Sequence, residues 1–253
     1  MPRFFIKKKN MAGSLARITN SDAKHIRDVL RLKPGDRLVL FDETGFSYEA
    51  TILSLSSKAV EASIDRIFTS NVESPLRLTV AQAYLKNGKM DMLIRQVTEL
   101  GAAEWIPFMS SRSVPRPDHK RLNSRIKRWE KIAKESLKQC GRSRTPKITV
   151  RSKLKDVLEL ATTHDVKIIF SENESQPLCP EYIKGDKGSV GSALILLGPE
   201  GGFTEEEITQ AEKHGFIATG MGPRILRADT ATVAACALVQ FLFGDMGEKF
   251  LDK

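Results

Sequence analysis

Leu-Gly-Pro-Glu-Gly-Gly at 197–202 and Met-Gly-Pro-Arg-Ile-Leu-Arg at 221–227 are two glycine-containing stretches in the last quarter of the chain. Each follows a short apolar run that predicts a buried strand, and each runs into a segment that predicts a helix. The flanking segments are 193–197, 204–207, 216–218 and 230–243. The order of strand, glycine loop and helix therefore occurs twice. It predicts two loops at the carboxyl ends of strands, which is where open α/β sheets bind ligands.

The first loop also indicates which kind of ligand it binds. Glycines let the backbone approach a ligand closely, as they do in phosphate-binding loops. However, the spacing matches neither common phosphate-binding glycine motif, and Glu200 would repel a phosphate. A nucleoside without phosphates fits better, because Glu200 is then able to meet a hydroxyl, an amine or a positive centre. S-adenosylmethionine has all three of these groups. The alternative is that both loops are ordinary connections between a strand and a helix, and that Glu200 is solvated.

The same two loops resemble those of a known family. LLGPEGGFTEEEI at 196–208 and MGPRILRADTATVAACALV at 221–239 resemble the two cofactor-loop motifs of SPOUT-class methyltransferases, and most closely the RsmE family. That family methylates ring nitrogen 3 of a uridine in bacterial 16S ribosomal RNA. Weaker matches follow the family's order over essentially the whole chain: MPRFF at 1–5, HIRDVLRLKPGD at 25–36, KMDMLIRQVTELGAAEWIPF at 89–108, SRSV at 111–114 and QCGRSRTPKI at 139–148.

Two positions depart from the family pattern. Cys140 stands where the family usually has serine, and Ala228-Asp229-Thr230 stands where Thr-Glu-Thr is common. The second departure lies beside the predicted site, so it weakens any role assigned to Asp229.

The resemblance implies an α/β fold with two domains. Residues 71–253 would form a SPOUT methyltransferase domain, a mostly parallel sheet with a C-terminal trefoil knot, and residues 1–70 a PUA-like β-barrel that binds RNA. The sequence pattern agrees, because short strands and turns fill 1–68, a polar stretch ending in proline follows, and strands then alternate with helices. SPOUT enzymes are typically homodimers. The apolar helix predicted over 230–243 is compatible with an interface, although a monomer core explains it equally well.

Turn residues and apolar periodicity predict the individual elements. The further predicted strands are 37–41, 46–53, 59–64, 76–83, 104–108, 148–150 and 166–170. The further predicted helices are 21–32, 89–100, 118–139 with Asp118 as its N-cap, and 154–161.

Backbone groups of both glycine loops are the predicted site for S-adenosylmethionine. Ser171 and Glu172, which follow the strand at 166–170, are expected to form a third wall, and Ile225 and Leu226 are expected to pack on the adenine. The predicted cofactor-binding residues are Ser171, Glu172, Leu197, Gly198, Pro199, Glu200, Gly201, Gly202, Met221, Gly222, Ile225 and Leu226.

The implied reaction is methyl transfer to a ring nitrogen that is protonated at neutral pH. It requires no metal, because the sulfonium makes the methyl group electrophilic and the protein mainly aligns the reacting atoms. A nearby cation favours the uracil anion, and Arg227 is the predicted catalytic residue. The other candidate cations are Arg224, Arg112 and Arg142. The proton acceptor stays open among Glu200, Asp229 and water.

Basic residues are concentrated in the middle of the chain. The net charge is +9, yet residues 112–151 alone carry +11, from fourteen Lys and Arg against three acids. Such a patch is the footprint of a polyanionic partner, here ribosomal RNA or the small ribosomal subunit, although a solvated basic helix is the alternative. The predicted RNA-binding residues are Arg112, Arg125, Arg128, Lys131, Arg142 and Arg144. Trp129 lies on the apolar stripe of this helix and is expected in the core.

Cysteine, histidine and hydropathy patterns exclude several other classes. Cys140, Cys179 and Cys236 are few and far apart, and the four histidines are scattered. Neither a metal site nor a disulfide framework is therefore expected, and a reducing cytoplasm is the simplest setting. No apolar run approaches the ~20 residues of a membrane span. No apolar segment follows the N-terminal basic residues, so a signal peptide is not expected either.

Three functions are consistent with these features. The first is methylation of ring nitrogen 3 of a uridine in 16S ribosomal RNA. The second is a SPOUT methyltransferase with another target, such as a ribose hydroxyl or a tRNA base. The third is a non-catalytic RNA-binding protein that keeps the fold.

Overall fold

The chain forms two compact units, each with its own hydrophobic core. The computed structural model describes residues 1–42, 44–69, 72–86, 88–116, 119–179, 183 and 189–247. The first unit contains Met1–Glu73 and Lys134–Thr145, and the second contains Ser74–Ala133 and Pro146–Lys253. The N-terminal unit thus includes a segment from the middle of the chain in addition to its own residues.

One six-stranded sheet forms the first unit. Its strands are β1 (Arg3–Phe5), β2 (Met11–Ala12), β3 (Leu15–Thr19), β4 (Arg37–Phe41), β5 (Phe46–Leu55) and β6 (Ala59–Thr69). They lie in the order β1-β4-β5-β6-β3-β2, and every pairing is antiparallel except that of β1 with β4. The core of this unit includes Leu38, Leu40, Ala50 and Ile52, which share one cluster because alternate residues of β4 and β5 point to the same face of the sheet.

A short helical segment follows β3. Helix α1 (Asn20–Lys24) continues as a π-helical turn over His25–Val29 and buries Ile26. The sequence predicts one longer helix over 21–32, and this prediction is wrong at its end. Arg31 has a left-handed backbone with φ of 54°, which a right-handed helix does not contain.

A parallel six-stranded sheet forms the centre of the second unit. Its strands are β7 (Arg77–Ala83), β8 (Glu104–Phe108), β9 (Lys147–Ile148), β10 (Val166–Phe170), β11 (Ser192–Leu197) and β12 (Ile217–Thr219). They lie in the order β12-β10-β11-β7-β8-β9, and all neighbours run parallel. Every residue of β11 is buried, as expected for a strand covered on both faces.

Helices cover both faces of this sheet. They are α2 (Lys89–Glu99), α3 (His119–Cys140), α4 (Leu154–Leu158), which continues as a 3-10 turn over Glu159–Thr163, α5 (Glu205–Lys213) and α6 (Ala228–Phe243). Residues of α2, α3 and α6 share one core cluster with Val80 and Ile195, whereas α4 and α5 share the other with Ala81 and Leu196. Within the described ranges, no helix is both long and apolar enough to cross a membrane.

Most of the predicted elements are present, with differences at their ends. Strands predicted over 37–41, 104–108 and 166–170 coincide with β4, β8 and β10. Strand β6 extends beyond the predicted end at residue 64, because its register with β5 continues to the pair Phe46–Thr69. Helix α3 is present as predicted, while its proposed N-cap Asp118 lies outside the described residues.

Candidate active site

Five parallel strands of the second unit end at one edge of the sheet, and the two glycine loops begin there. The carboxyl ends of β7, β8, β10, β11 and β12 meet at this edge because all five run in the same direction. The segments after β10, β11 and β12 enclose a cleft that opens to solvent. The lining residues are Phe170, Ser171, Glu172, Leu197, Gly198, Pro199, Glu200, Gly202, Met221, Gly222, Arg224, Ile225, Leu226, Ala228 and Ala231.

The cleft brings together every predicted cofactor-binding residue except Gly201. Gly201 is exposed, and a Cβ added to it would meet the side chain of Arg112 at 3.4 Å. Phe170, Ala228 and Ala231 complete the apolar lining. Phe170 ends the predicted strand at 166–170 and Ala231 lies in the predicted helix over 230–243, but sequence reasoning assigned neither of them to the site.

The first loop is closely packed around two of its glycines. Gly202 has a φ of +66°, and a Cβ added to it would lie 2.5 Å from Oε1 of Glu172. A Cβ on Gly198 would lie 3.3 Å from atoms of Gly202 and Phe203. The Gly202 N–H donates to the carbonyl of Pro199 at 3.0 Å and closes the turn. This loop therefore presents bare backbone to the Glu172 carboxylate and leaves no space for a side chain at Gly202.

The segment after β10 is fastened to the end of β12. The Ser171 N–H donates to the carbonyl of Thr219 at 3.1 Å, and the Thr219 hydroxyl donates to the carbonyl of Gln176 at 2.8 Å. Gly220 also donates its N–H to Gln176, and a Cβ on Gly220 would collide with the carbonyl of Glu174. Ser171 and Glu172 are thereby held as the third wall of the cleft.

Gln82, at the end of β7, connects the first loop to α6. Its side-chain Nε2 donates to the carbonyl of Gly198 at 3.1 Å, and its Oε1 accepts from the hydroxyl of Thr232 at 2.5 Å. Both Gln82 and Thr232 are fully buried. A buried amide with paired donors and acceptors fixes the groups around it, because an unpaired one would cost stability.

Lys89 connects the same two elements at the rim of the cleft. It opens α2, and its Nζ lies 2.9 Å from Oδ1 of Asp229 and 3.8 Å from Oε1 of Glu200. Oε1 of Glu200 also accepts the backbone N–H of Lys86 at 3.1 Å. Sequence reasoning missed Lys89 and Gln82. The one available signal was that Gln82 lies at the carboxyl end of the predicted strand 76–83 and that Lys89 begins the next predicted helix, near the edge at which the other site residues collect.

Arg227 and Asp229 lie where the second loop enters α6. Arg227 is the exposed N-cap of α6 and stands between the lining residues Leu226 and Ala228, although its own side chain does not line the cleft. The hydrogen bond from Lys89 holds the pKa of Asp229 below its usual value, and the charge of Arg227 acts in the same direction. Asp229 is thus a weak proton acceptor.

Arg112 follows β8 and contacts the first loop. Its Nη1 donates to the carbonyls of Gly201 at 2.9 Å and Phe203 at 3.3 Å. The neighbouring Ser111 N–H donates to Glu207 at 2.8 Å, and Glu207 closes the predicted capping box with Thr204 at the start of α5. The capping box is therefore confirmed, and Arg112 supports the glycine loop.

Helix α3 exposes a basic surface, as the sequence predicts. Arg125, Arg128 and Lys131 are exposed, while Trp129 is 2% exposed and lies in the core of the second unit. Arg128 forms an ion pair of 2.6 Å with Asp91, whose other oxygen accepts the Trp129 indole N–H at 2.9 Å.

Arg142 is buried, which contradicts its predicted role in RNA contact. It is 4% exposed, and its guanidinium forms a 2.9 Å ion pair with Glu73 inside the first unit. The other carboxylate oxygen of Glu73 accepts the backbone N–H groups of Ser143 and Arg144 at 2.9 and 3.0 Å. The basic segment 141–144 is thus fixed on Glu73, and of its four residues only Arg144 is exposed.

We expect Arg142→Met to lower the free energy of unfolding by about 3 kcal/mol, because it leaves the partly buried Glu73 without its cation. Urea denaturation measures this loss. Arg144→Met is the matched control, since replacing an exposed residue changes stability by about 0.5 kcal/mol or less. A reduced salt dependence of RNA binding with unchanged stability in Arg142→Met would contradict the structural role.

Among the residues that the structure describes, no group of three or more His, Cys, Asp or Glu is placed to hold an ion.

Two family models match the chain and follow its two units. The model described as an RNA methyltransferase domain matches residues 72–240, and the model described as an RNA methyltransferase PUA domain matches residues 18–65. Ribosomal RNA small subunit methyltransferase E of Buchnera aphidicola is 32% identical over 250 residues, covering 97% of this chain and 95% of that protein. The Bacillus subtilis protein of the same name is 30% identical over 247 residues, covering 95% and 96%.

Solved structures give the same result. Ribosomal RNA small subunit methyltransferase E from Neisseria gonorrhoeae, bound to S-adenosylmethionine, is 32% identical with a TM-score of 0.84, and 97% of this chain and 99% of that chain are covered. A Legionella pneumophila protein in complex with the same cofactor is 29% identical with a TM-score of 0.84, covering 96% and 98%. With a parallel α/β sheet, a PUA-like N-terminal domain and relatives over nearly its full length, the chain belongs to the ribosomal RNA small subunit methyltransferase E family.

Proposed function

We propose that this protein transfers a methyl group from S-adenosylmethionine to ring nitrogen 3 of a uridine in 16S ribosomal RNA. The observation that carries the proposal is the cleft between the two glycine loops, which combines bare backbone, apolar side chains and carboxylates. Family membership supports the same reaction, since the relatives are named for small-subunit ribosomal RNA methylation.

The residues of the cleft fit S-adenosylmethionine. Leu197, Met221 and Leu226 offer an apolar surface for the adenine, and the backbone of the first loop is open to ribose and amino groups. The carboxylates of Glu172 and Glu200 are able to contact the positively charged groups of the cofactor, whereas they would repel a phosphate ligand. When bound, the cofactor supplies an electrophilic methyl group on a positively charged sulfur.

The remaining task of the protein is to favour the uracil anion in the correct orientation. Arg227, at the N-cap of α6, is the proposed catalytic residue, and Arg224 on the cleft lining is a second source of positive charge. A cation stabilises the deprotonated ring nitrogen, which is the better nucleophile. Glu200 or water is a better candidate for the proton acceptor than Asp229, because the lowered pKa of Asp229 makes it a weak base.

Two basic surfaces support an RNA substrate. The first is on α3 and includes Arg125 and Lys131, which are exposed. The second is a cleft in the N-terminal unit, lined among others by Lys7, Lys9 and Arg17. Positive side chains bind the phosphates of RNA and position its backbone. We therefore assign both surfaces to ribosomal RNA or the small subunit, together with Arg112, Arg128 and Arg144.

Further features of the RsmE family belong to the same proposal. Strand β12 lies beside β10, on the side away from β11. After β11 the chain therefore crosses β10 to form β12, and α6 then returns to pack against β7 and β11. This path supports the proposed trefoil knot. Exposed apolar residues on α2 and α6, among them Met92 and Phe241, support the proposed homodimer. The proposed action on ribosomal RNA also supports a cytoplasmic location, which we propose for this protein.

Labelled methyl transfer to small subunits from cells that lack this protein tests the proposal. We expect label in one uridine, and mass spectrometry of the digested nucleosides should place the methyl group on the base. A ribose-methylated product would favour a different SPOUT target. Failure to bind S-adenosylmethionine, with RNA binding intact, would favour a non-catalytic RNA-binding protein.

A further inference from the structure

Lys89 holds two carboxylates that belong to different walls of the site. Its ammonium lies 2.9 Å from Asp229 of α6 and 3.8 Å from Glu200 of the first loop. The side chain is 26% exposed, and those of Glu200 and Asp229 are 30% and 19% exposed. Charges that are partly withdrawn from water are screened less than surface charges, so this contact influences the adjacent cleft.

The local backbone fixes the position of Lys89. Helix α2 begins at Lys89, directly after Gly88, which has a left-handed φ of 71°. Asp91, in the first turn of α2, accepts a hydrogen bond from the Trp129 indole N–H and forms an ion pair with Arg128. The first turn of α2 is thus anchored on one side to α3, and Lys89 extends from it to Glu200 and Asp229.

The charges around the cleft make this lysine consequential. Glu172, Glu200 and Asp229 contribute negative charge, while Arg224 and Arg227 contribute positive charge on exposed side chains. The Lys89 ammonium and the carboxylates of Glu200 and Asp229 together carry a net charge of −1. Without the lysine, the two carboxylates alone would carry −2. A more negative rim opposes formation of a uracil anion nearby.

We propose that Lys89 is a positioning residue for methyl transfer, which orients Glu200 and Asp229 and keeps the rim of the cleft from opposing deprotonation of the uracil. This rests on the proposed function. In the step concerned, the proton on ring nitrogen 3 leaves to water and the nitrogen electron pair forms a bond to the methyl carbon. The electrons of the broken carbon–sulfur bond stay on sulfur, which becomes a neutral thioether.

Lys89→Met, Lys89→Arg and Lys86→Met test this role. Lys86 is the matched control, because its side chain is exposed and its contact to Glu200 uses the backbone N–H, which the substitution retains. Single-turnover rates at saturating S-adenosylmethionine are measured against pH. For Lys89→Met, we expect the rising limb of the plot of rate against pH to shift to higher pH by about one unit, so that the reaction at pH 7 is roughly tenfold slower. Lys89→Arg and Lys86→Met should keep the original profile.

Cofactor binding without RNA provides a second readout. S-adenosylhomocysteine lacks the sulfonium charge, so the more negative rim of Lys89→Met should raise the preference for S-adenosylmethionine over S-adenosylhomocysteine. Equal loss of affinity for both ligands, with an unchanged pH profile, would show a purely structural lysine and overturn the proposal. A wild-type protein that binds neither ligand would instead refute the proposed function itself.

Discussion

Replacing Gly202 with alanine is expected to lower the rate of methyl transfer about 100-fold, because misplacing a positioned group by about 1 Å costs on that order. The new Cβ would lie 2.5 Å from the Glu172 carboxylate, and the backbone has a φ of +66° that L residues rarely adopt. Either Glu172 or the loop has to shift, and both line the cleft. Isothermal titration with S-adenosylmethionine and the single-turnover rate measure the effect.

Gly13→Ala separates the steric effect from backbone strain. Gly13 has a similar φ of +58°, but nothing lies within 4 Å of an added Cβ, and it belongs to the N-terminal unit. We expect a loss of about 1 kcal/mol of stability from the left-handed backbone, with unchanged cofactor affinity. If Gly202→Ala binds S-adenosylmethionine as tightly as Gly13→Ala does, the first loop is not the cofactor site.

Local signals made the two glycine loops predictable from sequence. The capping box Thr204–Glu207 forms both of its hydrogen bonds, and the apolar run at 193–197 is the buried strand β11. Each feature depends on neighbours within a few residues, so one sequence is enough to find it. The general rule that ligand loops follow strands then placed both loops at one edge of the sheet.

Long-range pairing explains what the sequence did not reveal. Lys89 reads as an ordinary surface lysine at a helix start, but its partner Asp229 is 140 positions away. Arg142 counted toward the basic patch, yet Glu73 neutralises and buries it from 69 positions away. Charge counting treats every side chain as solvated, and only the fold shows which ones are paired. The same limit hid Gln82, whose amide acts between Gly198 and Thr232.

Reversing Arg125 and Lys131 together to glutamate is expected to weaken RNA binding by about 25- to 60-fold at 0.1 M salt, if each contacts one phosphate. Both side chains are exposed on α3. Each lost phosphate contact reduces the slope of log K against log salt concentration by about 0.7–0.9, so the slope should fall by about 1.4–1.8. Filter binding of 16S ribosomal RNA over a potassium chloride series measures both quantities.

Lys155→Glu with Lys213→Glu makes the same change in net charge elsewhere. Both lysines are exposed, on α4 and α5, which cover the face of the sheet opposite to α3. If the α3 surface is the RNA site, this control should lose far less affinity, and both double variants should bind S-adenosylmethionine like the wild type. Equal losses of RNA affinity in the two double variants would mean that RNA binding depends on the net charge of the protein alone. The concentration of +11 in residues 112–151 would then be a solvated helix surface rather than a binding site.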